Sequence, residues 1–267
     1  MKPTTFDDHM HTSSSDGNNS HREMVESAIN KGFGEIGFSD HFCIKQPCNW
    51  AVGSNGIQAL FDKIEEVRQL YGEKIDILSG IEVDYFSDSE FELAEILRQY
   101  PFDYVTGSVH FLGEWNYDSS PDGYDLYDID FLYEWYFKEL QQAAQSGLFN
   151  IMAHPDLIKK FRIWPQHPPI VLFRETARIF ARSGVTFEVN TSGIDRPCGE
   201  FFPGEAFLKE LYDAGVPVTL GSDSHHQTQI GRHFTEAKKM LKDFGYQSLT
   251  RFKQRVPSQF PFCTLYK

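Results

Sequence analysis

The chain has 267 residues, 40% hydrophobic and 24% charged, a balance that excludes intrinsic disorder and collagen-like repeats. Its 25 Lys and Arg against 38 Asp and Glu give a formal net charge of -13, which repels a polyanion and excludes nucleic acid as a bulk partner. No apolar run reaches the roughly 18 to 20 residues of a membrane span, and the opening Met1–Asp8 lacks a signal-peptide core, so no membrane association and a cytoplasmic location are expected.

Strand-like apolar runs alternate with amphipathic stretches from end to end. The expected strands are Thr4–Asp8, Glu35–Ser39, Ile75–Asp84, Asp103–His110, Asn150–His154, Thr186–Asn190 and Val216–Gly221. Helices are expected near Arg22–Lys31, Ile57–Tyr71, Glu90–Gln99, Phe131–Gln145, Val171–Arg182, Glu205–Ala214 and Glu236–Phe244. Ser20 and Glu23 have the spacing of a capping box for the first helix. Gly32, Gly72, Gly147, Gly184 and Gly215 follow helical stretches, where a left-handed C-terminal cap favours glycine. No Pro/Ser-rich linker, repeat or low-complexity segment intervenes, which predicts a single α/β domain over residues 1–267. Cys43, Cys48, Cys198 and Cys263 form no CxxC pair and are expected to be reduced thiols.

Uninterrupted βα units suit a doubly wound sheet or a closed barrel, and periodicity does not choose between them. The polar residues do. Strand ends carry His9 and His11, Asp40 and His41, Glu82 and Asp84, His110, His154, Asn190, and finally Asp223 and His225. A barrel gathers all such ends around one mouth, whereas an open sheet gathers only those near its switch point. In His9-Met10-His11 and again in Asp223-Ser224-His225, residues at i and i+2 of an extended segment share a face, and barrel closure would bring the two pairs together.

Taken singly, an HxH or a strand-end histidine more often satisfies a backbone carbonyl than a metal. Here six of the ten histidines, His9, His11, His41, His110, His154 and His225, fall at strand ends with carboxylates at the same level, and joint metal ligation is the better reading. His21, His167, His226 and His233 are assigned structural or surface roles. The donors are imidazole and carboxylate without thiolate, which suits Zn, Mn or Fe and leaves the choice among them open.

Together His9-Met10-His11-Thr12 with Asp16, Phe38-Ser39-Asp40-His41, Gly80-Ile81-Glu82, Gly107-Ser108-Val109-His110, Ala153-His154-Pro155-Asp156 and Gly221-Ser222-Asp223-Ser224-His225 resemble the PHP (polymerase and histidinol phosphatase) superfamily. Trp115-Asn116-Tyr117-Asp118 and the run from His154 to Phe161 resemble its monofunctional histidinol-phosphate phosphatase branch. The resemblance implies a distorted, TIM-like (β/α)7 barrel with its active site at the C-terminal ends of the strands. It also implies three divalent ions: one on His9, His11, Glu82 and Asp223, a second on Glu82, His110 and His154, and a third on Asp16, His41 and His225. Glu82 would bridge the first two.

The activity implied is a phosphomonoesterase hydrolysing L-histidinol phosphate to L-histidinol and phosphate in histidine biosynthesis, by attack of a metal-bridging hydroxide. Asp223 or a metal-bound water would protonate the leaving alkoxide. Arg162 and Arg196, ahead of Lys159 and Lys160, are candidates to hold the phosphate. Asn190 is a further candidate contact, Asp40 or Asp118 would meet the substrate ammonium, and Tyr117, with Trp50 and Trp115, would line a pocket for its imidazole. The alternatives are a phosphoesterase of the same superfamily acting on phosphotyrosine or nucleotides, an amidohydrolase, and a non-catalytic binding module. The small-molecule phosphate monoester is the only partner expected, and the residues do not indicate an oligomeric state.

Overall fold

The computed structural model describes residues 5–45 and 48–262, so Thr4 of the first expected strand and Cys263 lie outside the described residues. The chain opens with β1 (Phe6–Asp7), α1 (His21–Asn30), β2 (Glu35–Phe38), β3 (His41–Phe42), α2 (Ile57–Tyr71), β4 (Asp76–Ser79), β5 (Glu82–Asp84), α3 (Glu90–Arg98) and β6 (Thr106–Ser108). A short hairpin follows, β7 (Phe111–Leu112) with β8 (Trp115–Asn116), and then α4 (Ile129–Gln145), β9 (Ile151–Met152), α5 (Ile170–Ser183), β10 (Thr186–Asn190), α6 (Glu205–Asp213), β11 (Val218–Gly221) and α7 (Phe234–Phe244). The described chain ends in a second hairpin, β12 (Ser248–Lys253) with β13 (Val256–Pro261).

The central strands are parallel and fall into two sheets, β1-β2-β4 and β11-β10-β9-β6-β5-β3. The expected strand Ile75–Asp84 is therefore two strands, β4 and β5, with Gly80-Ile81 between them. The same step separates β2 from β3. Backbone bonds carry the ladder across it, from Gly80 N–H to the Phe38 carbonyl at 2.8 Å and from Thr106 N–H to the Ile81 carbonyl at 2.9 Å. Just past their ends, the first and last strands meet in a parallel bridge of Met10 with Ser224, made by His11 N–H to Ser224 O at 2.8 Å and Ser224 N–H to His9 O at 3.3 Å. The fold is the expected distorted TIM-like α/β arrangement.

Local chemistry explains the helix boundaries. Ser20 Oγ accepts from Glu23 N–H at 3.3 Å while Glu23 Oε2 accepts from Ser20 N–H at 2.8 Å, so the capping box forms. Asp128 caps α4 by accepting from Phe131 N–H, which starts that helix two residues earlier than expected. Gly184 closes α5 at φ 71° as a left-handed cap requires, whereas Gly72 follows α2 at φ -61° and is not such a cap.

The terminal hairpin has no counterpart among the expected strands. Its turn is Gln254-Arg255, both at positive φ, rather than the Asn-Gly or Asp-Gly pair that announces a hairpin. It packs beneath the strands, with Arg255 N–H on the Asp103 carbonyl at 2.7 Å and Arg251 Nη1 on Glu35 Oε2 at 3.0 Å. No helix of the described residues is long and apolar enough to cross a membrane.

Tyr104 plugs the space between the two sheets. Its ring is fully buried, and its hydroxyl donates to the Asp8 carbonyl at 2.7 Å. A Cβ on Gly80 would sit 2.2 Å from that ring, whereas a Cβ on exposed Gly53 would meet nothing within 4 Å. Gly80→Ala is expected to destabilise the fold by about 1–3 kcal/mol, as overpacking of a core does, and Gly53→Ala to leave it nearly unchanged. Denaturant unfolding of the two variants checks the contrast.

Candidate metal centre

Glu82 is the first residue of β5 and is completely buried. Five imidazoles surround its carboxylate, two of them, His9 and His11, from the segment after β1. Oε2 lies 3.2 Å from His9 Nε2, 3.5 Å from His11 Nε2 and 3.1 Å from His41 Nδ1. Oε1 lies 2.8 Å from His154 Nε2 and 3.8 Å from His110 Nε2. The closing bridge of Met10 with Ser224 brings the two i, i+2 pairs together, so that Asp223 Oδ1 is 3.2 Å from His11 Nε2 and 3.5 Å from His225 Nδ1. Asp16 Oδ2 reaches His225 Nε2 at 3.2 Å and His41 Nε2 at 3.8 Å.

All nine expected ligands thus lie around one point. Their donor atoms form four overlapping groups, each within 4.8 Å: His11, Asp16, His41 and His225; His9, Glu82 and His154; His9, His11 and Asp223; His41, Glu82 and His110. The resemblance implies sets of four, three and three that share Glu82 alone, whereas in these groups His9, His11 and His41 are each shared as well as Glu82.

The electrostatics are those of cation ligands. Burial pushes the Glu82 carboxyl up, but His41, His9 and His154 outweigh it and hold the group well below the usual carboxylate range. Asp223 is likewise held well below that range by His9, His11 and His225 against its burial. Burial pushes His41 down to about 3, whereas His110, equally buried but beside Asp84 and Glu82, is pushed up to about 10. His9 Nε2 and His11 Nε2 face each other at 3.1 Å, so both cannot carry a proton there. The Nδ1 atoms of His11, His41 and His154 are buried without a hydrogen-bond partner. Lone pairs and carboxylates aimed at common points, with buried nitrogens left without a hydrogen bond, fit divalent cations.

Above the centre lies a cavity of about 300 Å³, with Asp16, His41, His110, His154, Asp223 and His225 on its floor. Trp50, Asn116, Asp118, Lys160, Ser192 and Arg196 contribute to its wall. A larger, mainly apolar cavity of about 770 Å³ lies beside Trp164, Phe173 and Phe207 and includes none of the nine residues.

The PHP domain profile matches residues 7–192. The chain belongs to the PHP family. The probable histidinol-phosphatase of Deinococcus radiodurans is 30% identical over 239 residues, covering 88% of this chain and 90% of its own. The histidinol-phosphatase of Lactococcus lactis is 24% identical over 94% of this chain and 95% of its own. A crystal structure of the Lactococcus lactis enzyme with Zn, L-histidinol and phosphate shares the fold at a TM-score of 0.79, with 22% identity over 96% of this chain and 99% of that one.

Within this PHP chain, five residues expected at the substrate are not brought to the cavity wall, and one of them, Trp115, stacks on Tyr127 at 5.6 Å instead. Asp40 is fully buried and accepts from Thr12 N–H at 2.8 Å, Thr12 Oγ1 at 3.0 Å and Ser15 Oγ at 2.6 Å, so it holds the turn leading to Asp16. Tyr117 is equally buried, with its hydroxyl donating to the Val109 carbonyl. Asn190 accepts from Ser192 N–H and Oγ and donates to Glu188, which consumes its side chain below the wall. Arg162 is exposed at φ 63° and turns away. Arg196 does reach the wall.

Lys160 lines the wall as well, and its ammonium donates to Asp118 Oδ1 at 2.7 Å, whereas neighbouring Lys159 is buried against Asp156 and Glu200. Glu188 and Arg232 were not anticipated. Arg232 Nη2 donates to the Asp223 carbonyl at 2.8 Å and Glu188 lies beneath His9. A charged residue inside a buried strand, as Glu188 is in β10, was the available signal for the first; nothing local marks Arg232.

His21 does not join the centre. Its ring packs on Phe38 at 4.6 Å, and burial pushes its pKa down from 6.5 to about 4. Between those values the unfolded chain binds more protons than the folded one, so this histidine contributes stability above pH 6.5 that is lost as pH falls towards 4. His21→Gln is expected to flatten the acid side of the stability-pH curve in that window, as read from urea unfolding at a series of pH values.

Proposed function

We propose that this chain is a metal-dependent phosphomonoesterase that hydrolyses L-histidinol phosphate to L-histidinol and phosphate in histidine biosynthesis, acting on its small-molecule substrate in the cytoplasm. The observation that carries the reading is the convergence of nine ligand-type side chains beneath a cavity whose wall holds two cations, Lys160 and Arg196. The names of the Deinococcus and Lactococcus relatives favour this ester over others.

We assign three divalent ions, Zn, Mn or Fe, to His9, His11, Glu82 and Asp223, to Glu82, His110 and His154, and to Asp16, His41 and His225. Bound there, divalent ions supply Lewis acidity towards a phosphoryl group and make water more acidic. The chain's own residues do the rest. Arg196 and Lys160 face the cavity as fixed donors for phosphate oxygens, and a guanidinium can meet two of them at once. Asp223 lines the cavity with its Oδ2 3.1 Å from Ser192 Oγ, where its ionised carboxylate can take a proton from the attacking water and pass it to the leaving alkoxide. Trp50 stands edge-on to His41 at 4.9 Å and offers a flat wall to the organic part of the ester. Asp118 is the cavity carboxylate placed to meet an ammonium, in competition with Lys160.

Phosphate release by the purified protein from histidinol phosphate and from a phosphotyrosine peptide tests the reading. Histidinol phosphate is expected to be much the better substrate, chelation to abolish the activity and a divalent ion to restore it. Preference for phosphotyrosine would move the chain to another PHP phosphatase type, and activity that survives complete chelation would overturn the metal-dependent mechanism.

Arg196→Ala removes a charge-assisted contact worth about 1.5 to 3 kcal/mol and is expected to lower kcat/KM about 10- to 150-fold for every phosphomonoester alike. Asp40→Asn also acts on all esters equally, because Asp40 holds a turn and does not face substrate. Kinetics with histidinol phosphate and an uncharged aryl phosphate check this: a loss confined to the ammonium-bearing ester would place Asp40 at the substrate.

A further inference from the structure

Glu188 lies on β10 and is neither a wall residue of the cavity nor one of the nine assigned ligands. Its buried carboxylate meets three donors. Oε1 lies 2.6 Å from His9 Nδ1, while Oε2 accepts from the backbone N–H of His154 at 3.0 Å and from Asn190 Nδ2 at 3.0 Å. His9 and His154 then present their Nε2 atoms to opposite oxygens of Glu82, at 3.2 Å and 2.8 Å. One carboxylate thus holds the ring of His9 and the backbone of His154, two members of one ligand group. His154 also has a backbone φ of 26°, in a region that non-glycine residues seldom occupy, and the bond from its N–H to Glu188 ties that turn down.

Gly221, at the end of β11 and in register with Asn190, leaves the space that makes this possible. A Cβ there would fall 1.8 Å from Glu188 Oε1 and 2.7 Å from His9 Cβ. Its backbone is not left-handed, so the site requires glycine for room and not for conformational freedom.

We propose that Glu188 is a positioning residue which, through the notch left by Gly221, fixes His9 with its proton on Nδ1 and its lone pair on Nε2 and pins the His154 turn, so that one carboxylate presets two metal ligands from two strand ends. The inference rests on the metal-centre reading above. It goes beyond packing because the carboxylate is the group that satisfies all three donors. Glutamine in its place offers one acceptor oxygen and one NH2. With the NH2 towards His9, the ring must accept at Nδ1 and carry its proton on Nε2, which removes the lone pair from the side facing Glu82. With the NH2 towards His154 and Asn190, two donors meet a third. A ligand is lost from its set position either way.

The test is Zn²⁺ affinity of the purified protein, measured by competition with a chromophoric chelator, alongside the thermal midpoint without added metal. Glu188→Gln is expected to weaken Zn²⁺ binding about 10- to 100-fold, the range for losing such an outer partner, while the metal-free protein still unfolds cooperatively. Gly221→Ala is expected to weaken binding comparably in the native background and clearly less in a Glu188→Ala background, where the carboxylate clash at 1.8 Å is gone and only the approach to His9 Cβ at 2.7 Å remains. Zn²⁺ affinity of Glu188→Gln indistinguishable from the native chain, or a Gly221→Ala defect of equal size in both backgrounds, overturns the proposal. If Glu188→Gln does not fold, the Gly221→Ala comparison decides alone. A native chain that binds no Zn²⁺ defeats the metal-centre reading itself, whereas a native chain that binds it and a Glu188→Gln chain that binds it equally defeat only the role of Glu188.

Discussion

The structure depends on one buried charge. Glu82 has no solvent exposure, and an ionised carboxylate in such a place must be met by opposite charge or by donors. The imidazoles around it meet this need only in part, because they also crowd one another: His11 stacks on His41 at 4.2 Å and on His225 at 4.3 Å. Rings that close cannot all be cationic, and the opposed shifts of His41 and His110 express that competition. Divalent cations at the common points would resolve both problems, by neutralising the carboxylates and taking up the lone pairs together. The register of β3 with β5, which sets His41 opposite Glu82, and the bridge of Met10 with Ser224 then read as the means by which distant strand ends reach the same charge.

Around this floor the chain separates its charges by depth. The protein as a whole is acidic at -13, yet the cavity wall carries Lys160 and Arg196 above the centre. Consecutive lysines serve different ends, with Lys159 satisfying buried Asp156 and exposed Glu200 while Lys160 faces the cavity beside Asp118. Net charge therefore speaks to bulk partners such as nucleic acid, and local charge to the anion the cavity would hold.

The alternation of side chains along extended segments made the histidine and carboxylate set legible in the sequence: His9 and His11 point one way, Met10 is buried on the other, and Asp223 with His225 repeats the pattern. The same alternation marks Glu188, two residues before Asn190, as a buried charge with a partner to find. Alternation does not say what a strand-end side chain does once the chain turns. Asp40, Tyr117 and Asn190 all stand near the mouth in sequence, but local hydrogen bonds claim them before a substrate could: Asp40 and Asn190 accept from donors of their turns, and the Tyr117 hydroxyl donates to the Val109 carbonyl. Arg162 and Arg196 follow different strand ends, and only the turn geometry decides which faces in. The terminal hairpin is not legible in the sequence because its turn rests on Gln254 and Arg255, residues that do not advertise a left-handed backbone.

If Glu82 and the eight side chains grouped with it hold metal, anomalous X-ray scattering from crystals grown with Mn²⁺ or Zn²⁺ shows it most directly. Three strong peaks are expected, all within coordination distance of His9, His11, Asp16, His41, Glu82, His110, His154, Asp223 or His225. No peak among these residues, or ions bound only elsewhere on the molecule, would contradict it.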